Sequence, residues 1–103
     1  MVKFDYNQEE KSIKLIFTGR MDYLAAGEVT EIIQSEPVII NRTPEESLIF
    51  DIGEVNYIAS SFIRICIMYA KLAGSGRFSI INCQPLVKKT FKISGLDEAF
   101  NIT

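Results

Sequence analysis

Apolar and polar positions alternate along residues 2 to 6 (VKFDY) and, less strictly, along 13 to 17 (IKLIF), with a polar stretch from Asn7 to Lys11 between them. A period of two in short runs flanking a turn predicts an N-terminal β-hairpin. The period then lengthens. From Tyr23 to Ser35 the apolar residues Leu24, Ala25, Val29, Ile32 and Ile33 recur at helical spacing, which predicts an amphipathic helix with Asp22 as its N-cap and Pro37 beyond its end. Leu48, Ile49, Phe50 and Ile52 form a short apolar run that suits a buried strand, closed by Asp51, Gly53, Glu54 and Asn56, residues that favour turns. Ser60 to Ala73 is the most hydrophobic helical stretch. Its only charges, Arg64 and Lys71, lie seven residues apart on one face, and the rest reads as core-facing.

Gly74-Ser75-Gly76 ends that helix with turn chemistry, and Arg77 to Ile81 reads as a further strand. Pro85 opens a third helix to about Ile93, with Leu86, Val87, Thr90, Phe91 and Ile93 inward, Lys88, Lys89 and Lys92 outward, and Gly95 as C-cap. Phe100 to Thr103 is expected to add a last short strand. The segment from Glu36 to Ser47 mixes strand-like Val38, Ile39 and Ile40 with Pro37, Asn41, Pro44, Glu45 and Glu46, and reads as a connection with a short extended piece. The order β-β-α-β-α-β-α-β predicts an α/β fold. Its sheet is mixed: the hairpin supplies antiparallel pairing and the strand-helix-strand units supply parallel pairing, with helices packed on it.

A length of 103 residues predicts a single domain spanning 1–103. With 48% hydrophobic residues, 23% charged residues and a net charge of -2, the chain lacks the basic stripe of a nucleic-acid binder. No apolar segment has the length of a membrane span, and the start lacks the basic and apolar regions of a signal peptide, so no membrane insertion and a cytoplasmic location are expected. Histidine is absent, which removes the commonest general base and argues against hydrolase chemistry. Cys66 and Cys83 stand far apart in apolar surroundings with no CxxC. They read as buried free thiols rather than metal ligands, a disulfide being left open. No metal, cofactor or catalytic residue is expected, and the chain is not read as an enzyme.

The residues that invite a functional reading are Ser60 and Ser61. Either can be the N-cap of the helix they begin, a role worth about 1 kcal/mol. A hydroxyl at the positive end of a helix dipole is equally a favourable place for a phosphate, which brings about -1.5 to -2 charges. Arg64, one turn after Ser60, reads either as a solvated charge or as a cation for that phosphate. Asp22 and Asp51 read as a cap and a loop-ordering residue rather than as paired catalytic carboxylates.

Four stretches, in order, resemble the STAS domain family of bacterial anti-sigma factor antagonists. Phe17-Thr18-Gly19-Arg20-Met21-Asp22 is similar to the family's "TGxLD" strand end, and Asp51 through Ser61 (DIGEVNYIASS) to its "DLxxVxxIDSS" signature. Asn82-Cys83-Gln84-Pro85-Leu86-Val87 is similar to its "NxxPxV" start of the third helix, and FKISGLDEAF from Phe91 to its "lsGLdxxf" ending. The resemblance covers about Ser12 to Ile102 and implies a STAS-like mixed sheet. It implies a phosphoacceptor at Ser60, with Ser61 as second choice, and a partner that is both a serine kinase and an anti-sigma factor of the histidine-kinase-like ATPase fold. The implied partner-binding residues are Asp22, Tyr57, Ile58, Ala59, Ser60, Ser61, Phe62 and Arg64. Ala59 stands where the family usually has aspartate, Phe62 where it has glycine, and Arg64 where a small residue is common; Phe62 and Arg64 are thereby expected to add bulk at the docking surface. The alternative is a STAS scaffold, never phosphorylated, within a signalling or lipid-transport assembly.

Overall fold

Strand alternation and helical spacing resolve, in a computed structural model that describes residues 1–103, into eight elements: β1 (Val2–Asn7), β2 (Ser12–Thr18), α1 (Tyr23–Gln34), α2 (Pro37–Ile40), β3 (Ser47–Glu54), α3 (Ser60–Ala73), β4 (Phe78–Ile81) and α4 (Pro85–Ile93). The strands form one sheet in the order β1-β2-β3-β4. β1 and β2 are antiparallel, and their turn is held by Asn7, whose side chain bonds Glu10 through both its oxygen and its nitrogen. β2–β3 and β3–β4 are parallel, with Leu15 opposite Phe50 and Phe50 opposite Ile80. This is the mixed sheet the sequence predicts, with the helices packed on it.

Alternation decides which face is buried. Ile13, Leu15, Phe17, Leu48, Phe50, Ile52 and Ile80 are fully enclosed, while Lys14, Ile16, Ile49, Asp51, Ser79 and Ile81 on the opposite face are only half-buried. Helices therefore cover one face. Aromatic side chains fill the space beneath them: Phe50 lies 4.9 Å from both Phe17 and Phe78, and Phe17 stands edge-on to Phe62 at 5.1 Å. Phe100 extends the cluster to Phe78 and Phe91.

Several local expectations change. Val38 to Ile40 is a helical turn rather than an extended piece, because Pro37 supplies a preset φ at its first position and the fold buries only Ile39. β3 continues through Gly53 and Glu54, which the sequence assigns to the turn. A side chain on Gly53 would approach Cβ of Asn82 to 3.2 Å, so glycine here serves a close crossing of chains. Leu86 and Ile93 of α4 point outward, and only Val87 and Phe91 are buried. In α3, Met68 and Leu72 are also exposed, contrary to an all-core reading apart from the charges. The last strand reduces to one bridge, Ile80 to Ile102. Ser94 is the C-cap of α4, and Gly95, one residue beyond at φ 74°, closes a Schellman pair with Leu96: their amides bond the carbonyls of Lys92 and Phe91.

Candidate partner-docking surface

Two segments that leave adjacent parallel strands meet above the C-terminal end of the sheet. Gly19, at φ 92°, turns the chain out of β2, and its amide bonds the carbonyl of Glu54 at 3.2 Å. Beyond it, Met21 N–H donates to Tyr57 O and Ala59 N–H to Met21 O, both at 2.9 Å, so residues 20 to 22 and 57 to 59 form a short parallel ladder centred on Met21 and Ile58. α1 starts from one side of this ladder and α3 from the other. Their N-termini open side by side on the same edge of the molecule.

The two starts differ chemically. Asp22 caps α1, its Oδ1 accepting from Ala25 N–H at 2.9 Å. The N-cap of α3 is Ala59, extended at φ -95° and ψ 168°, with no side-chain hydrogen bond, so neither Ser60 nor Ser61 is the cap that the sequence leaves open to them. The backbone places them as the first two helical residues. Ser60 is exposed, whereas the Oγ of Ser61 is buried with no partner. α3 thus begins with uncapped amides beneath an accessible hydroxyl.

The ladder and α3 bring Asp22, Tyr57, Ala59, Ser60 and Arg64 to one accessible edge. Two other expected docking residues lie under it. Ile58 is 6% exposed and Phe62 is fully buried against Phe17 and Phe50, so Phe62 adds bulk to the core rather than to the surface. Its position follows from the spacing Phe62, Cys66, Tyr69, Ala73, which marks the buried face of α3. Asp51 is spent locally, Oδ1 accepting from Gly53 N–H at 3.1 Å, and does not form a carboxylate pair with the capping Asp22.

Some features of this surface are absent from the sequence reading. Arg20 lays its guanidinium 4.0 Å from the centre of the Tyr57 ring; a cation two residues before a capping aspartate is the only sequence signal for it. Tyr23 and Leu24, on the first turn of α1, are among the most exposed apolar side chains, although the helical spacing counts Leu24 as core. With Gly27 and Thr30 they face Ser61 and Ile65 across a shallow groove of about 230 Å³ between α1 and α3. The missing side chain of Gly27 helps keep it open.

Reactive groups elsewhere are muted. Burial pushes the thiol of Cys66 far above the ordinary range and that of Cys83 upward as well, and both are free. The Tyr6 hydroxyl and the Thr43 amide hold Glu46 below the usual carboxylate range. No group of three histidine, cysteine, aspartate or glutamate side chains comes together, and no helix is long and apolar enough to cross a membrane.

The sequence matches no protein-family model and no curated protein. Its backbone does match solved structures. The anti-sigma factor antagonist SpoIIAA in its unphosphorylated form superposes with a TM-score of 0.76 at 16% identity over 100% of this chain and 86% of that one. An anti-sigma factor antagonist from Mycobacterium paratuberculosis superposes with a TM-score of 0.77 at 17% identity, over 99% and 85%. The phosphorylated form of the Bacillus cell fate determinant SpoIIAA gives 0.69 at 14% identity, over 100% and 89%. From its first strand to its last bridge, the chain has the STAS-type fold of the anti-sigma factor antagonists.

Proposed function

We propose that this chain is a regulatory protein-binding domain, an anti-sigma factor antagonist that docks on an anti-sigma factor/serine kinase and is switched at Ser60. One observation carries the reading: an exposed serine hydroxyl opens α3, at an uncapped helix start, on the edge that α1 and α3 share. SpoIIAA, whose fold the chain shares, has both an unphosphorylated and a phosphorylated form. In the corresponding step here, Ser60 Oγ attacks the γ-phosphorus of ATP, the bond to the β–γ bridging oxygen breaks, ADP leaves and the hydroxyl proton passes to a base on the kinase. The product places about -1.5 to -2 charges on a surface that otherwise carries a neutral hydroxyl. A partner that tolerates the hydroxyl then meets a dianion, which sets binding to one state. The buried Oγ of Ser61 makes it the poorer acceptor. Incubation with the cognate kinase and ATP, followed by mass spectrometry, is expected to find one phosphate on wild type and none on Ser60→Ala. An unmodified wild type sinks the switch.

The scaffold reading draws on the exposed Met68 and Leu72, two apolar residues further along α3 that offer docking area independent of the serine. Under it, Ser60→Asp retains partner binding in a pull-down. Under the switch, Ser60→Asp loses it.

A further inference from the structure

Met21 and Ile58 face each other across their bridge and are buried, so the alternation of an extended ladder turns Arg20, Asp22, Tyr57 and Ala59 to the opposite, accessible side. Ser60 follows Ala59 directly and is itself exposed. On that side the Arg20 guanidinium rests 4.0 Å from the centre of the ring of Tyr57, a residue 40% exposed. A cation on an exposed ring is a weak contact, held only while nothing better is offered. We propose that Arg20 is the residue that receives the phosphate of Ser60, leaving the Tyr57 ring to pair with the ester; the assignment rests on the reading of Ser60 as phosphoacceptor. A guanidinium presents a planar fork of donors that fits phosphate oxygens, and a charge-assisted pair outweighs an exposed cation–π contact. The exchange alters the surface in two places at once. Part of the new charge is neutralised at Ser60, and the face of Tyr57 is uncovered. Asp22, on the same side of the ladder, opposes the phosphate, and Arg64, one turn along α3, is the competing cation.

Phosphoserine inserted at position 60 by codon reassignment makes the test independent of any kinase. A chain that no kinase modifies therefore overturns the switch and leaves this measurement intact. The second ionisation of the phosphate is followed by phosphorus NMR in the otherwise wild-type chain, in Arg20→Ala and in Arg64→Ala, with circular dichroism to verify the fold. Arg20→Ala is expected to raise the apparent pKa of the phosphate by about half a unit, a roughly threefold gain in proton affinity, and Arg64→Ala to raise it by less. The side-chain Nε–H resonance of Arg20 is expected to leave its ring-shifted position when Ser60 carries phosphate. Equal pKa values with and without Arg20, a larger rise in Arg64→Ala, or an Arg20 resonance that stays on the ring overturns the assignment.

Discussion

Ala59 occupies the position where a side-chain oxygen would satisfy the first amides of α3, and its extended backbone already has the conformation of a cap. Ala59→Asp is expected to stabilise the fold by about 1 kcal/mol in urea unfolding, while bringing a carboxylate next to Ser60 that disfavours a phosphate there. Ser61 presents the reverse case. Its Oγ is buried without a partner, so Ser61→Ala is expected to leave stability unchanged or slightly raised in the same assay. Phe62→Ala is expected to cost about 3 to 5 kcal/mol, because the ring is enclosed between Phe17 and Phe50. The two kinds of sequence evidence disagree at Phe62: family position puts it at the docking surface, and the four-three-four spacing to Ala73 puts it in the core. Spacing prevails, since it reports this chain's own packing. Arg20 is poorly legible for the opposite reason, its place being set by a ladder between segments that no local pattern links.

Among the elements, the hairpin, α1, α3 and α4 are readable because each carries an unbroken period or a cap residue. The segment between α1 and β3 has neither. Its order comes from long-range bonds: the guanidinium of Arg42 donates to the carbonyls of Leu72 and Ala73 at the end of α3 and to that of Glu46 at 2.6 Å. Arg42→Ala is expected to cost about 1 to 3 kcal/mol and to speed hydrogen exchange at the amides of residues 41 to 46, the unpartnered buried Nε limiting the loss. Glu46 adds a pH dependence to the same loop. Its folded pKa lies below the unfolded value, so the unfolded state binds the proton more readily; the contribution is present above the ordinary glutamate range and is lost as pH falls through that range towards the lower folded value. Stability measured against pH should therefore fall less steeply across this acid range in Glu46→Gln than in wild type. The outward turn of Leu86 and Ile93 was not legible, because they share one broad apolar arc with Val87 and Phe91 opposite the lysines, and only docking selects which part of that arc is buried.

For the molecule as a whole, one covered sheet face implies one core, and the thiols report on its integrity. Ellman's reagent is expected to react slowly with native protein, at the half-buried Cys83 before Cys66, and rapidly at both once urea unfolds the chain. The ladder between residues 20–22 and 57–59 has a further bearing on the chain's life in a cell. Neither segment can form it alone, and the two emerge from the ribosome with α1, α2 and β3 between them. A nascent, clipped or partly unfolded chain thus displays its serine without the neighbouring edge. Under the proposed switch at Ser60, only a finished molecule offers the whole address to a partner, so the signal would carry with it a certificate that its carrier has folded.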